Sequence, residues 1–510
     1  MRQRLIALAL GLALCLTGCA EVPAAAPPEE LEASPTPSAA AVRREFTLPY
    51  YPSASLHPIT GDNRVNLALA GLVYQGLFEL DNTFTPHGVL CTDSTVSENG
   101  LTWTFTLKSA VFSDGTALTA ADVVTSLNLA RSSTLYAARL AQVKTVAAPD
   151  DDTVTVTLTR PNGVLPALLD IPIVREAEAG GVPLGTGPYA FAGEGDELRL
   201  VRQSAAPATV PEVIPLAPVA GADELIYVFD TGEISLVGSD LTGANALGYA
   251  PGYEAFEFPT TDFLFVGFQA ASGPCRDALV RQAVSRAFDR DSVTLSLLAG
   301  HGESAALPFS PRSALYSAGH GEAAAYSPAA AAELLAQAGY TAGEDGLLYR
   351  GRTPLALTFV VSTDNPFKLT VAEYLAGQLA GLGIDITLEK LPWDDYITTL
   401  ERGSFDLFLG EALLTADFDL APFLDRNGAL NYGGYSNREM DALLARLQAA
   451  EEDERPQAAA DLLDLFRTEA PFAPLCFKNH TVLTRWGAVS GLEPTRQNLF
   501  YHLENLRFGA

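Results

Sequence analysis

Alternating apolar and polar positions predict strands in the first third of the chain. Residues 101–107 place Leu, Trp, Phe and Leu at every second position with threonine between them, directly after the turn-forming pair Asn99-Gly100. Thr119 and Asp122 then form a capping pattern ahead of apolar residues at helical spacing. The sequence therefore predicts a strand, a turn and a helix in that order.

The second half of the chain carries the clearest periodicity. Ser327-Pro328 is typical of a helix start, and Gly339 can end that helix in a left-handed conformation. Further along, strand and helix patterns alternate with short connections, which predicts a parallel α/β sheet with helices over its faces. The predicted elements are a strand at 355–361, a helix from Pro366, a strand at 384–388, a helix at 393–402 and a strand at 405–409.

The carboxyl ends of these strands are the predicted ligand-binding edge. Parallel α/β sheets bind their ligands just outside the carboxyl ends of the strands. Asn365, Trp393 and Glu411 follow or end the three predicted strands, so we expect them to contact a ligand. Trp393 can equally pack in the core beside the helix that it begins.

The N-terminus has the order of a secretory signal. Met1-Arg2-Gln3-Arg4 is basic, 5–16 is apolar, and Leu16-Thr17-Gly18-Cys19 resembles a bacterial lipobox. The apolar run is too short to span a bilayer comfortably. We therefore predict a signal peptide over 1–19 with Cys19 as the lipidated residue. Residues 20–45, rich in Ala, Pro, Glu and Ser, are predicted to be a disordered tether.

Composition and charge narrow the classes of partner. The 510-residue chain is 48% hydrophobic and 18% charged, which is enough apolar material for a large core. Its net charge of −29 argues against nucleic acid as a partner, because phosphate binding needs concentrated positive charge. Beyond the signal region there are three cysteines without metal-site spacing, so they can form one disulfide at most.

No catalytic or cofactor motif is present in the sequence. The six histidines are scattered, and there is no His-Glu-x-x-His, nucleophile elbow or phosphate loop. Residues 185–189 fit a degenerate dinucleotide pattern but lead into an alternating segment instead of a helix, so a turn into a strand is the better interpretation. We expect no enzyme activity, no cofactor and no bound metal.

Several long segments resemble the bacterial extracellular solute-binding proteins that serve ABC importers for dipeptides, oligopeptides and nickel. The resemblance spans nearly all of the mature chain. It rests on residues 73–81 (VYQGLFELD), 97–105 (SENGLTWTF), 111–124 (VFSDGTALTAADVV), 185–189 (GTGPY), 280–290 (VRQAVSRAFDR) and 331–340 (AAELLAQAGY).

This resemblance implies an α/β fold of the type II periplasmic-binding-protein kind, with two lobes and an extra domain inserted in the first. The implied boundaries are 46–265 for lobe 1, about 82–180 for the inserted domain, 266–477 for lobe 2 and 478–510 for a return to lobe 1.

The resemblance also implies an acidic partner for a peptide's terminal ammonium group. It places that role on Asp417 first and Asp419 second, both in the loop after the strand at 405–409. Asn431 and Tyr432 are expected as further ligand contacts. Nickel is disfavoured as a ligand because there are so few histidines.

The expected protein is thus an extracytoplasmic, lipid-anchored, monomeric receptor. It captures a peptide or similar small solute and presents it to an ABC permease and ATPase. Two alternatives share its location: a secreted lipoprotein hydrolase of envelope polymers, and a sensory lipoprotein that passes its ligand to a signalling partner.

Overall fold

The computed structural model describes residues 45–176 and 181–509. Predictions for the signal peptide, for Cys19 and for nearly all of the tether lie outside these residues. Within the described part, no helix combines the length and the apolar character needed to cross a bilayer.

The strands and helices follow one another in mixed order. The strands are β1 Leu48–Tyr50, β2 Phe78–Leu80, β3 Pro86–Gly88, β4 Cys91–Val96, β5 Thr102–Leu107, β6 Val143–Ala147, β7 Thr153–Leu158, β8 Tyr189–Ala192, β9 Arg199–Arg202, β10 Val213–Pro218, β11 Leu236–Ser239, β12 Tyr253–Phe268, β13 Gly302–Ser304, β14 Thr341–Ala342, β15 Leu348–Arg350, β16 Thr353–Pro354, β17 Ala356–Ser362, β18 Asp385–Leu391, β19 Leu407–Leu413, β20 Phe472–Arg485, β21 Val489–Ser490 and β22 Arg507–Phe508. The helices are α1 Arg64–Leu67, α2 Ala70–Val73, α3 Ala120–Ala130, α4 Ala222–Asp230, α5 Ala278–Arg286, α6 Arg290–Ser292, α7 Ala318–Ala323, α8 Pro328–Gln337, α9 Pro366–Gly381, α10 Trp393–Glu401, α11 Ala421–Leu424, α12 Arg438–Ala449 and α13 Arg455–Glu469.

The first lobe holds two four-stranded sheets over one core. One sheet has the order β1-β10-β9-β8 and the other β4-β5-β7-β6, in which β5 is the predicted strand. The capping pair Thr119 and Asp122 begins α3, as predicted. The turn at 185–189 leads into β8, which pairs with β9, so this prediction is also confirmed. Residues from the C-terminal segment, including Phe500 and Leu506, complete the same core.

The second lobe contains the predicted parallel unit. β17, α9, β18, α10 and β19 occur in the predicted order, and both β18 and β19 pair parallel with β17. Ser327 caps α8 by accepting a hydrogen bond from the Ala330 amide, and Gly339 follows the helix with φ of +86°, as predicted. β19 begins two residues later than the sequence pattern indicated.

Successive residues of the second-lobe sheet face two separate cores. In β12, Phe263 and Phe265 pack with α10, α12 and α13, whereas Leu264 and Val266 pack with α5, α8 and α9. The sheet is therefore covered by helices on both faces, as expected for an α/β layer structure. The sheet is mixed, because β19 pairs antiparallel with β12.

Two long strands connect the lobes. β12 and β20 pair antiparallel from Tyr253 opposite Arg485, beside the first-lobe core, to Gly267 opposite Phe472 in the second lobe. Their register shifts between Pro259 and Phe263. The predicted lobe boundaries at 265/266 and 477/478 fall within these two strands.

Candidate functional site

A cleft of about 1280 Å³ lies where the two lobes face each other. The first lobe contributes residues such as Arg64 and Arg139, and the second contributes Glu411 and Leu413 from β19. Ligand pockets commonly measure roughly 300 to 1,000 Å³, so this cleft has room for a solute larger than a single amino acid.

Exposed apolar side chains line part of the cleft. Val111, Leu135 and Leu413 all lie in its wall and remain 38% to 58% exposed. Apolar surface left accessible in a concave site is a common feature of ligand recognition. The cleft can therefore bury apolar parts of a solute as well as polar ones.

A cluster of charged residues lies in the cleft where the connecting strands β12 and β20 meet β19. The Lys478 ammonium lies 2.9 Å from Glu411 Oε1 and 3.1 Å from Asp240 Oδ2, and its side chain is only 3% exposed. Desolvation lowers the pKa of Lys478, but the two carboxylates outweigh it and raise this pKa overall. Lys478 is therefore held charged and fully paired.

His480 completes this cluster. Its Nε2 lies 2.8 Å from Asp262 Oδ2 and 3.7 Å from Asp240 Oδ2. Desolvation raises the pKa of Asp262, but contact with His480 and the nearby cations outweighs it and lowers that pKa to about 2.

Asp240, Asp262 and His480 also place three potential metal-ligand atoms within 4.8 Å of one another. The ammonium of Lys478 already neutralises Asp240 at this position. A metal ion would have to compete with that ammonium, so the arrangement suits an internal ion-pair network better than a metal centre.

Of the residues expected to bind ligand, Glu411 lines the cleft and the others do not. Asn365 is buried as the cap of α9 and also donates to the Thr242 carbonyl at 3.0 Å. Trp393 is half exposed at the start of α10. Asn431 donates to the Tyr435 carbonyl at 2.8 Å and holds its own loop.

Tyr432 and the two aspartates of the predicted ammonium site also lie outside the cleft wall. The Tyr432 ring packs edge-on against Phe408, with 5.9 Å between ring centroids. Asp417 Oδ2 accepts a hydrogen bond from Asn162 at 2.9 Å. Asp419 Oδ2 lies 2.5 Å from the Arg160 guanidinium, and desolvation, followed by the charge of Asp417, raises the pKa of Asp419.

Asp417 and Asp419 thus belong to a contact between the lobes. Both partners, Arg160 and Asn162, come from the first lobe, just after β7. The Gly163 amide adds a backbone hydrogen bond of 2.8 Å to the Gln448 carbonyl at the end of α12. We call these residues the interlobe contact.

Sequence reasoning missed most of the cleft residues. In the sequence these residues lie as far apart as Arg64 and Arg496, and no local motif connects them. A usable signal was the polar run Lys478-Asn479-His480 inside an otherwise apolar strand, because buried charges in a strand need partners.

Comparison with known proteins identifies the family. The bacterial extracellular solute-binding proteins, family 5 (middle region), match residues 85–431, which is more than half of the chain. The chain belongs to this family.

The relatives and structural neighbours agree with that assignment. Glutathione-binding protein GsiB of Salmonella typhi is 26% identical over 456 residues, covering 82% of this chain and 86% of the relative. The structure of HbpA2 from Haemophilus parasuis has a TM-score of 0.74 at 20% identity and covers 92% of this chain and 100% of its own. The periplasmic murein tripeptide binding protein MppA, in its unliganded open form, has a TM-score of 0.73 at 21% identity. The match covers 92% of this chain and 98% of the MppA chain. The family has the two-lobe type II binding-protein fold, as predicted, and is an extracytoplasmic family of binding proteins rather than enzymes.

Proposed function

We propose that this chain captures a peptide or a similar small solute between its lobes and delivers it to the permease and ATPase of an ABC importer. The observation that carries the proposal is the cleft, whose walls come from both lobes. A ligand that touches both walls stabilises the closed arrangement of the lobes and so shifts the population towards it. A closed, filled receptor is a form that a permease can distinguish from an empty one.

A peptide-like ligand fits the chemistry of the cleft. GsiB is named for glutathione and MppA for a murein tripeptide, and both of those ligands are peptides. The cleft offers charged side chains together with the exposed apolar residues Val111, Leu135 and Leu413. A short peptide carries terminal charges and apolar side chains in the same molecule, so it matches both features.

We place the protein at the outer face of a membrane, anchored through lipid on Cys19. The basic head, apolar run and lipobox-like end of residues 1–19 support this placement. A tether over 20–45 would let the binding lobes reach a permease without release of the anchor. We propose that the receptor acts as a monomer.

Among the residues expected from the sequence, Glu411 is our first candidate for contact with the ligand. Its carboxylate lines the cleft from β19. Asp417 and Asp419 reach a ligand ammonium only in a conformation that gives up their contacts with Asn162 and Arg160. They serve the proposed function through the interlobe contact in the present conformation.

The test combines ligand retention with a measurement of shape. Detergent-solubilised full-length protein is incubated with a pool of synthetic di- to pentapeptides, washed and examined by mass spectrometry. We expect specific members to be retained and the radius of gyration in small-angle scattering to fall when they bind. Glu411→Gln should retain less peptide, whereas Glu389→Gln, an exposed change on β18, should match the unaltered protein.

Two results would contradict the proposal. Retention of no peptide removes the peptide assignment. Retention with an unchanged radius of gyration removes ligand-driven closure, since a site made by two lobes is completed only when both touch the solute.

A further inference from the structure

The described chain begins at one end of the first-lobe strands. Glu45 is exposed there, and β1 follows directly after it. β1 runs parallel to β10 with Leu48 opposite Leu216, and the same register carried back along both strands brings Glu45 level with Val213. The amino ends of β1 and β10 therefore lie where the chain enters the fold.

The carboxyl end of β20 lies at the same place. The Ser235 amide donates to the Thr47 carbonyl at 2.8 Å, and the Ser235 carbonyl accepts from the Arg485 amide at 3.0 Å. The Arg485 guanidinium also donates to the Gly232 carbonyl at 2.7 Å, just after α4. Trp486, which begins the turn after β20, is therefore a neighbour of both the chain entry and the end of α4.

Large apolar side chains are exposed at this end of the lobe. Trp486 is 67% exposed, and within the described part of the chain its indole N–H has no hydrogen-bond partner. Val213 is 37% exposed, and Tyr227, about one turn before the end of α4, is 62% exposed. We call the end of the first lobe that carries these three side chains the entry end.

The turn that carries Trp486 is fixed by its backbone. The Gly487 amide donates to the Glu254 carboxylate at 3.0 Å. The Gly509 amide, near the end of the chain, donates to the Ala488 carbonyl at 2.9 Å. An exposed side chain on a fixed backbone is presented to a partner at a lower entropic cost than one on a mobile loop.

The cleft lies at the opposite end of these strands. Gly238 and Asp240 line it from the carboxyl end of β11, whereas the entry end precedes that strand. Along β20, the cleft residue His480 and the exposed Trp486 are separated by about 20 Å at the rise of an extended strand. A partner bound at the entry end therefore leaves the cleft uncovered.

Charge at the entry end is mixed. Glu45 and Glu233 are exposed there, while Arg43 and Arg44 directly precede Glu45 in the sequence. The protein as a whole is repelled by an anionic surface because its net charge is −29. Attraction to a partner at this end therefore has to come from the aromatic and apolar side chains.

An exposed tryptophan suits the boundary between lipid and water. Trp and Tyr are enriched at membrane–water interfaces, because the ring is apolar while its polar tip stays hydrated. The proposed lipid on Cys19 is joined to the fold at Glu45, so the entry end is the part of the lobe that the anchor holds nearest the membrane. Tethering raises the local concentration of the lipid surface, so a few side chains suffice for a lasting contact.

From this arrangement we propose that the entry end rests on the lipid headgroups of the membrane that holds the anchor, with Trp486 inserted among them. The cleft then opens towards the solution from which a solute arrives. This inference rests on the proposed function, because it requires the anchor at Cys19. It adds a second contact between the receptor and the membrane, made by the fold itself.

The three tryptophans of the chain allow a direct test. Membrane-anchored protein is purified in detergent and reconstituted into phosphatidylcholine vesicles, with or without bromine on the acyl chains near the headgroup, where bromine quenches nearby tryptophans. Trp103 is buried, and Trp393 is half exposed on the second lobe. We expect brominated lipid to reduce the fluorescence of the unaltered protein. The reduction should vanish in Trp486→Phe and persist in the matched control Trp393→Phe.

Lipid charge provides a second test. Neutral phosphatidylcholine should be sufficient for quenching, because aromatic contact carries the attraction. Quenching that appears only after anionic phosphatidylglycerol is added would overturn the assignment to Trp486, since Arg43 and Arg44 would then carry the contact. Quenching that is lost in Trp393→Phe instead of Trp486→Phe would also overturn it, because the second lobe would then face the lipid.

The remaining outcomes separate this inference from the proposed function. Protein that does not float with the vesicles removes the anchor and the inference together. Floating protein with unquenched Trp486 overturns the inference alone and leaves an anchored receptor. Trp486→Phe should retain peptides as the unaltered protein does, and a loss of retention would place Trp486 in the ligand site instead. Shielding of Trp486 from aqueous acrylamide only at high protein density would assign the entry end to a second copy.

Discussion

The side-chain amide of Asn162 donates a hydrogen bond to the carboxylate of Asp417 at 2.9 Å, although the two residues lie in different lobes. Asn162 Oδ1 accepts from the Val164 amide at 2.8 Å, so the amide group cannot turn round without losing that bond. Oδ1 of Asp417 accepts from the Thr415 hydroxyl at 2.6 Å. This part of the interlobe contact therefore requires an acceptor at Asp417.

Asp417→Asn should weaken the interlobe contact. With the new nitrogen facing the Asn162 amide, two donors oppose each other; turned the other way it donates to the Thr415 hydroxyl, and the stronger hydrogen bonds of the charged carboxylate are still lost. We expect a loss of about 1 to 3 kcal/mol in the free energy of unfolding. A larger radius of gyration of the unliganded protein should accompany that loss. Urea unfolding and small-angle scattering measure the two effects.

Gly163→Ala tests the same contact from its first-lobe side. A Cβ at Gly163 would lie 2.0 Å from the Ala450 carbonyl oxygen, so the backbone segments must move apart. Gly115→Ala is no suitable control because of its positive φ, whereas Gly377→Ala on α9 meets nothing within 4 Å. If Gly163→Ala and Gly377→Ala give the same radius of gyration, the interlobe contact does not hold the lobes together.

Lys478→Met should strongly destabilise the folded protein. The change leaves Asp240 without its buried ammonium partner and Glu411 with only the more distant Lys368, and an uncompensated buried charge typically costs roughly 3 to 5 kcal/mol. Lys368→Met is the matched control, because Lys368 lies 3.5 Å or more from its acidic partners, and we expect a clearly smaller loss. Urea unfolding at pH 7 provides the comparison, and equal losses for the two variants would contradict the account of the cluster.

Asp262 should make stability depend on pH in the acidic range. Folding lowers its pKa from the ordinary 3.8 to about 2. Its charged form therefore stabilises the folded protein fully above about pH 4, and this stabilisation is lost as the pH falls towards 2. The shift corresponds to about 2 kcal/mol.

Asp262→Asn should accordingly be less stable than the unaltered protein at pH 7, and the difference should shrink below about pH 4. Chemical unfolding between pH 7 and pH 3 measures this trend. Asp385→Asn, at an exposed position on β18, is the control and should show no such trend. A stability difference for Asp262→Asn that stays constant over the whole range would rule out the ion pair as its source.

Cys19→Ala should release the protein from the membrane or leave it unprocessed. Two acyl chains give stable anchoring where one is marginal, and the cysteine is the proposed attachment point. Cell fractionation with detergent extraction, together with the mass of the mature chain, measures the outcome. Cys91→Ala, which removes a buried free thiol, should leave fractionation unchanged. Detergent-dependent membrane retention of the Cys19→Ala protein would contradict the anchor.

The periodicity of apolar residues predicted the strands that bury only one face and the helices that bury only one stripe of side chains. β5 and β18 alternate in burial or remain partly exposed, and α9 follows a proline start, so each carries a local signal. The connecting strands β12 and β20 were not predicted. Over much of their length both faces are buried, so alternation disappears, and each contains a proline.

The candidate site was predicted only where local sequence and strand position coincide, at Glu411. Arg64, Lys108 and Arg496 are assembled by the return of the C-terminal segment to the first lobe, and single-sequence patterns do not encode that return. Asn365 was expected in the site because polar residues after strands suit ligands, and Asp417 because the family resemblance placed the partner of a peptide ammonium there. The structure instead uses Asn365 to cap a helix and Asp417 to join the two lobes. Both of these roles call for polar residues after a strand, just as ligand binding does.

Thr261 lies in the register shift of β12, and its hydroxyl joins three parts of the molecule. It accepts a hydrogen bond from Arg496 and donates one to the Leu414 carbonyl at 2.7 Å, next to the interlobe contact. The register shift in the connecting strand therefore lies one hydrogen bond from Arg496 of the cleft and one from Leu414 of the second-lobe loop. The same oxygen atom thus links a cleft-lining guanidinium to the second-lobe loop, so the contact path from the cleft wall to that loop is two hydrogen bonds long.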